Sequence, residues 1–414
     1  MAISQKDRTI LRDLAKQVAD IAALPEEAEK IRLWTACNDL KPERAMVLAI
    51  QQPWDEIAAA WLKLECEGEQ ARGQESALRN RIICHEHIPD DRPMLATWDV
   101  GIGVSGGGYD DYGFKLLTTR SGEEHGAYHI EPVIKCVDDM ENLHFRPLKL
   151  DHESADRNVA YYQELFGDIL EVRKVGRGNW RYGLSRVLIH MIGLENMMLY
   201  MYDNPDLLHK LMGFLRDDYM NELDLFEREQ AIMANNVPDA NLGSGGLAPN
   251  STLPAGGTMP APLKQCWCWA ESQETVGVGP KQFDEFVLAY QIPLMNRFGM
   301  VDYGCCEPLD HKIDILVKKV PHLRWMAVSP WSDRKLCAEK MGYKYVYVYK
   351  PNPSRICAPV AEWDAAEQDI RETLDIARGC PIHIVMKDTS TFHGEAERTT
   401  KWCEMAVRIA KEMA

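Results

Sequence analysis

Hydrophobic positions in the first part of the chain recur at helical spacing. The apolar face of the first helix is formed by four residues: Leu11, Leu14, Val18 and Ile21. Pro25 ends that run, because proline cannot continue a helix. A second helix is predicted over residues 54–72, where apolar residues again share one face. The pattern therefore predicts an N-terminal helical extension over residues 1–90.

After residue 90, short apolar runs alternate with amphipathic stretches. The first run, 94–98, ends at Asp99. Five strand–helix pairs follow residue 264: 265–270 with 281–298, 301–306 with 309–320, 323–328 with 333–341, 345–349 with 363–377, and 382–386 with 395–413. This alternation indicates a parallel sheet covered by helices. An open doubly wound sheet has the same alternation, but the number of units and the polar strand ends favour a barrel. We therefore predict an α/β protein with a (β/α)8 TIM-type barrel over residues 91–414.

Composition narrows the class of protein. The chain has 414 residues and a formal net charge of −16, without a run rich in lysine and arginine. Nucleic acid and anionic membranes are therefore poor candidates as partners. No apolar stretch approaches the roughly 20 residues that span a bilayer, and the N-terminus lacks a signal-peptide core. A cytoplasmic location is expected. The 12 cysteines are scattered and do not form the pattern of a disulfide framework.

Two adjacent thiols and a carboxylate follow the predicted strand 301–306: Cys305, Cys306 and Glu307. Barrel enzymes place their chemistry at the carboxyl ends of strands. Thiolate and carboxylate ligands also suit zinc. Because neighbouring residues alternate sides, either Cys305 with Glu307 or Cys306 alone would face the pocket.

Other predicted strands also end in polar residues. These ends are 271–274, 329–331, 350–353 and 387–391, and Asp99 closes the first strand. Lys350 and Lys387 follow apolar strands, where a lysine is costly unless it meets an anion or solvent. The strand ends therefore predict an enclosed polar pocket.

Three further motifs are read as structural. Residues 101–106 match GxGxxG, but the glycine-rich continuation cannot form the helix that a dinucleotide site needs, so a mobile loop over the barrel mouth is expected. Residues 84–87 (CHEH) are interpreted as an exposed helix end. Cys266 and Cys268 lie at the start of a strand, where residues normally serve stability.

Four strand-end motifs carry a resemblance to a known family. They are 271–274 (ESQE), 305–308 (CCEP), 350–353 (KPNP) and 386–389 (MKDT), and together they resemble the uroporphyrinogen decarboxylase-like superfamily. The segments 38–44 and 53–54 are similar to its branch of corrinoid-dependent methyltransferases, which includes the methyl-ether-cleaving components of O-demethylase systems. The resemblance covers nearly the whole chain.

The resemblance implies a methyltransferase that moves a methyl group from an aryl methyl ether to the cob(I)alamin of a separate corrinoid protein, giving a phenol. The corrinoid is expected from a partner, because this chain has no DxHxxG motif. Three alternatives stay open: a methyltransferase for a thiol, amine or betaine, a decarboxylase of the same superfamily, and a non-enzymatic binding protein. A homodimer is also left open.

Two departures from the family pattern affect the site. Trp98 and Asp99 stand where the decarboxylase has an arginine-rich segment, and the His-x-Cys of zinc methyltransferases is replaced by Tyr303, Gly304 and Cys305. Any zinc would therefore need a different ligand set.

The residues expected in the site fall into three groups. The implied zinc ligands are Cys305, Cys306 and Glu271, with Glu274 and Glu307 as substitutes. The expected catalytic residues are Lys387, Asp388 and Gln273. The expected substrate contacts are Trp98, Asp99, Tyr303, Trp331, Lys350 and Asn352.

Overall fold

The computed structural model describes residues 3–120, 122 and 128–414. Its strands are β1 (Met46–Ala49), β2 (Thr97–Gly101), β3 (Gly103–Ser105), β4 (Thr118–Arg120), β5 (Tyr128–Ile130), β6 (Lys149–Asp151), β7 (Glu171–Val175), β8 (Arg181–Tyr182), β9 (Trp267–Ala270), β10 (Met300–Tyr303), β11 (Leu323–Val328), β12 (Val346–Tyr349) and β13 (Ile382–Met386).

The helices alternate with these strands in the second half of the chain. They are α1 (Gln5–Ala22), α2 (Pro25–Asn38), α3 (Trp54–Trp61), α4 (Glu69–His87), α5 (His152–Phe166), α6 (Leu184–Ile192), α7 (Leu194–Asp203), α8 (Pro205–Arg228), α9 (Pro280–Phe283), α10 (Ala289–Met295), α11 (Ile313–Lys319), α12 (Arg334–Met341), α13 (Ser354–Cys357), α14 (Trp363–Ile376) and α15 (Glu397–Glu412). None of the described helices is both long and apolar enough to cross a bilayer.

Seven strands form one parallel sheet in the order β1-β13-β12-β11-β10-β9-β8. Strands β9, β10, β12 and β13 are buried along their whole length. Helices cover such sheets on the outside, which explains why these strands are apolar throughout rather than alternating. The predicted α/β fold of the TIM-barrel type is confirmed, with seven strands in the described sheet where the sequence predicted eight.

The first strand of this sheet lies earlier in the chain than expected. Strand β1 falls within residues 1–90 and pairs with β13, although that region was predicted to be helical. The run 94–98 does not start the sheet: it leads into β2, which pairs with β7 in a separate two-stranded sheet. The division at residue 90 stays a prediction, but its first part contributes a strand to the main sheet.

Two predicted helices are interrupted. The helix expected over residues 54–72 is divided between α3 and α4, with Gly68 as the N-cap of α4. The helix expected over residues 281–298 contains a π-helical turn between α9 and α10, and Pro293 lies inside α10. Proline has no N–H for the helical ladder, so the backbone must depart from regular hydrogen bonding near it.

The glycine-rich segment is also more ordered than a free loop. Strand β3 begins at the second glycine of the GxGxxG motif, Gly103, and pairs with β6 in antiparallel fashion. No helix starts there, so the geometry of a dinucleotide site is missing at this motif.

A compact cluster on the inner side of the main sheet supports the strand ends. The Trp34 ring from α2 contacts His383 of β13, His383 contacts Trp325, and Trp325 contacts Trp267. Leu242, Leu247 and Ala248 belong to the same buried cluster. Gly246 is required there, since a Cβ at this position would lie 2.4 Å from His383 Nδ1. The backbone at Gly246 therefore packs directly against the His383 ring.

Candidate functional site

A cavity of about 240 Å³ opens at the carboxyl ends of β10, β11, β12 and β13. It is lined by Cys305, Cys306, Pro330, Trp331, Lys350, Pro351, Asn352, Pro353, Ser354, Lys387 and Asp388. Prolines and Trp331 make its wall largely apolar, while thiols, lysines and a carboxylate supply its polar groups. Small-molecule sites commonly combine these features.

The two thiols and a lysine form the polar centre of this cavity. Cys305 Sγ lies 3.4 Å from Cys306 Sγ. Lys387 Nζ donates to both sulfurs, at 3.3 Å from Cys305 and 3.2 Å from Cys306. Cys305 is only 6% exposed. A single ammonium therefore donates hydrogen bonds to two sulfurs that are largely shielded from water.

This arrangement separates the protonation states of the thiols. The Cys306 hydrogen bond, opposed by burial and assisted by the Lys387 and Lys350 charges, lowers the pKa of Cys305 to about 5. The hydrogen bond with Cys305 and burial raise the pKa of Cys306 well above its usual range. At neutral pH the pair is then a thiolate at Cys305 and a thiol at Cys306.

Asp388 closes the cluster through an unusual backbone conformation. Its φ of +58° is left-handed, a region that aspartate tolerates better than most residues. Cys306 Sγ lies 3.1 Å from Asp388 Oδ2, and Lys387 Nζ lies 3.3 Å from the same carboxylate. Burial disfavours the charged ammonium, but the Cys305 thiolate, the Asp388 carboxylate and the contact with Cys306 raise the pKa of Lys387 above its usual range. Lys387 therefore remains a cation.

Glu307 holds the backbone of the thiol segment rather than lining the cavity. Its two carboxylate oxygens accept from the backbone N–H of Ser272 at 3.0 Å and of Cys305 at 2.9 Å. The side chain is fully buried and connects the ends of β9 and β10. Burial raises the pKa of Glu307, and these N–H donors oppose that shift.

The predicted catalytic segment after β9 lies beside the cavity rather than in its lining. Glu271 accepts from the Gln273 N–H at 2.9 Å, and Glu274 accepts from Ser185 Oγ at 2.7 Å. Burial, followed by the charges of Glu274 and Glu307, raises the pKa of Glu271 to about 8. Gln273 begins a short 3₁₀ turn after β9. The catalytic role of Gln273 stays a prediction that gains no support from this placement.

The expected zinc ligands are not assembled as a set. The Lys387 ammonium lies against both sulfurs, where its charge opposes that of a dication. No group of three or more His, Cys, Asp or Glu side chains in the described ranges is arranged to hold a metal ion, whereas zinc sites use at least three protein ligands. These residues as arranged do not fit zinc, which stays a prediction from the resemblance alone.

The expected substrate contacts separate into two groups. Trp331, Lys350 and Asn352 line the cavity, and the indole of Trp331 is available because the residue is 67% exposed. Tyr303 is completely buried and donates to Gln291 Oε1 at 2.7 Å, so it belongs to the core.

Trp98 and Asp99 lie in the separate sheet of β2 and β7. The Trp98 ring contacts Tyr162 and Phe166, and Asp99 forms an ion pair with Arg173 at 2.7 Å. Neither residue lines this cavity, and β2 pairs with β7 outside the seven-stranded sheet. Their role as substrate contacts stays a prediction that gains no support from this placement.

Two buried polar residues near Lys350 were missed by the sequence analysis. Lys350 itself was expected: its Nζ donates to Ser244 Oγ at 2.9 Å, and burial, with the Lys387 charge, lowers its pKa to about 8. The missed residues, Asp302 and His383, are buried without a hydrogen-bond partner among the described residues. Burial raises the pKa of Asp302 and lowers that of His383 to about 3. The only available signal was a polar residue inside an apolar strand.

Comparison with known proteins adds little to this geometry. No family model matches the sequence, and no curated protein matches it. Among solved structures, the chain is similar to a methyltransferase from Methanosarcina mazei, at 10% sequence identity and a TM-score of 0.49, over 92% of this chain and 98% of that chain. At this identity and TM-score the similarity assigns no family, activity or ligand to the present chain.

Proposed function

We propose that this protein is a methyltransferase that moves the methyl group of a small aryl methyl ether to the cob(I)alamin of a separate corrinoid protein, releasing a phenol. The supporting observation is the combination of a largely apolar cavity with a cation, Lys387, held at its polar end by Cys305, Cys306 and Asp388. The sequence resemblance supplies the reaction class, and the cavity supplies a place for the donor.

The difficult part of ether cleavage is the leaving oxygen. As the methyl group departs, negative charge develops on the phenolic oxygen and must be stabilised. Lys387 carries a charge that its neighbours sustain, and the Cys306 thiol has a proton to share. An ether oxygen next to these groups would meet a preorganised cation without a metal. Trp331 offers an exposed ring for contact with the aromatic part of the donor.

The acceptor supplies a cobalt(I) nucleophile for the methyl carbon. A cavity of about 240 Å³ is too small for a corrin macrocycle in addition to a donor, so the corrinoid would stay at the cavity mouth on its own protein. The volume is therefore consistent with the expectation that this chain binds the donor and a partner presents the acceptor.

Methyl transfer from guaiacol to chemically reduced cob(I)alamin tests the proposal directly. The expected products are methylcobalamin and an equal amount of catechol. The formation of methylcobalamin is measured from its visible absorption spectrum. Lys387→Met should slow the reaction about 100-fold, the cost of losing one stabiliser of a developing oxyanion. Lys335→Met, which removes an exposed lysine on α12, should leave the rate unchanged.

Guaiacol binding, measured by calorimetry, gives a second readout that needs no acceptor. Binding without transfer to free cobalamin would agree with a requirement for the partner protein. Absence of both binding and transfer would contradict the proposal. Methylcobalamin formed from a thiol, amine or betaine donor instead would assign another methyl donor to the same cavity.

A further inference from the structure

The adjacent thiols have a chemistry of their own, beyond methyl transfer. We propose that Cys305 and Cys306 are an oxidation site, at which peroxide converts the two thiols to a vicinal disulfide that a dithiol reduces again. The state of this pair would then decide whether the cavity is active. The modification does not depend on which methyl donor the cavity binds.

The two sulfurs are already in contact. Their separation of 3.4 Å must shorten by roughly 1.4 Å to reach the bond length of a disulfide. The strand ladder ends at Tyr303, and Gly304 has a φ of +107°. Residues 305 and 306 are therefore outside the sheet hydrogen bonding, and a small change of their side-chain torsions would not break the strand.

Lys387 prepares one sulfur for oxidation. Its ammonium lies 3.3 Å from Cys305 Sγ, and a nearby cation favours the thiolate, the form that reacts with peroxide. Both thiols line the cavity, so a molecule as small as hydrogen peroxide can reach them. A reactive thiolate with a second thiol in contact is the arrangement in which a sulfenic acid is resolved as a disulfide.

The reaction balances with one peroxide. The Cys305 thiolate attacks a peroxide oxygen, the O–O bond breaks, and a sulfenic acid and hydroxide form. The Cys306 thiol then attacks the Cys305 sulfur, an S–S bond forms, and the sulfenic oxygen leaves as water. The hydroxide takes up from solvent the proton that Cys305 released when it ionised, and becomes the second water. Two thiols and one hydrogen peroxide thus give one disulfide and two waters, with two electrons passing to peroxide.

The product should be easy to reduce. Adjacent Cα atoms are about 3.8 Å apart across a trans peptide bond, shorter than the usual span of a disulfide. A vicinal disulfide is therefore strained, and strained disulfides have more oxidising potentials. Oxidation would also remove the thiolate beside Lys387, so its ammonium would keep Asp388 as a partner but lose one of the two anions that hold it at the polar end of the cavity.

Thiol counting after peroxide treatment tests the site. The wild-type chain, with its 12 cysteines, should lose two titratable thiols after brief exposure to hydrogen peroxide, with a mass decrease of two hydrogens in the peptide that contains Cys305 and Cys306. Dithiothreitol should restore both. Cys136→Ser, which removes an exposed cysteine, should still lose two thiols.

Cys305→Ser and Cys306→Ser decide whether the pair is responsible. Neither variant should lose two thiols or give the linked peptide, and circular dichroism verifies that each is folded. If Cys305→Ser loses two thiols as the wild type does, or if the wild-type peptide gains oxygen instead of losing hydrogen, the proposal is wrong. Because the readout is the mass of the peptide, the oxidation proposal is tested independently of methyl transfer.

Discussion

Replacing Lys387 with methionine should raise the pKa of the Cys305 thiol towards the value of an ordinary cysteine. Methionine is similar to lysine in length but carries no charge, so the change removes the cation while keeping most of the buried volume. In the wild type, Lys387 Nζ lies 3.3 Å from Cys305 Sγ and 3.2 Å from Cys306 Sγ. The variant leaves the Cys306 contact and the more distant charge of Lys350 as the remaining stabilisers of the thiolate.

The expected size of the effect follows from the distance. Two unit charges at 3.3 Å interact with about 5 kcal/mol at an effective dielectric constant of about 20. At 1.36 kcal/mol per pKa unit this corresponds to between 3 and 4 units. We therefore expect the pKa of Cys305 to rise from about 5 to about 8 in Lys387→Met.

The pH dependence of alkylation measures this change. The rate at which iodoacetamide labels Cys305 should rise with the fraction of Cys305 that is a thiolate. Mass spectrometry of the fragmented peptide distinguishes label on Cys305 from label on Cys306. The midpoint should move up by roughly 3 pH units in Lys387→Met, remain low in Lys387→Arg, and be unchanged in Lys335→Met. A midpoint that moves by less than about one unit in Lys387→Met would refute the view that this ammonium stabilises the thiolate.

Three further outcomes are expected. Glu307→Gln should lower the free energy of unfolding by about 2 kcal/mol in urea titrations, because an amide cannot accept from both N–H donors; an unchanged midpoint would contradict the anchoring role. His383, with its pKa lowered to about 3, stays neutral in the fold while the unfolded chain takes up a proton below about pH 6.5. The free energy of unfolding should therefore fall as the pH falls from about 6.5 towards about 3, by up to about 5 kcal/mol from this group. The dependence of the free energy of unfolding on pH should be less steep in His383→Gln, and equal steepness in both proteins would contradict this. Trp331→Ala should weaken guaiacol binding about tenfold by calorimetry without loss of stability, and equal affinity would exclude ring contact.

The strands of the second half of the chain were predictable because burial on both faces leaves a local signature. Strands β11 and β13 have the predicted bounds, and β9, β10 and β12 begin or end within a few residues of them. Strand β1 has the same apolar character, but its four residues are too short to stand out between helices. Its place in the sheet depends on pairing with β13, which joins residues more than 330 positions apart.

Part of the candidate site was predictable for a related reason. Carboxyl ends of parallel strands meet at one edge, so Cys305, Cys306, Lys350 and Lys387 were expected near one another, and all four line the cavity. The same rule did not bring Asp99 to this cavity, because β2 pairs with β7 outside the seven-stranded sheet. A local pattern identifies a strand but does not determine its neighbours.

The sequence by itself determined the class of fold and the residue types at the strand ends, since these follow from periodicity and burial. Only the tertiary structure decided that one ammonium lies against both thiols, that Glu271 is outside the lining of the cavity, and that Tyr303 belongs to the core. Side-chain direction beyond a strand end depends on backbone torsions such as those of Gly304 and Asp388, and on the strand register. These are set by long-range packing, and no local pattern of residues records them.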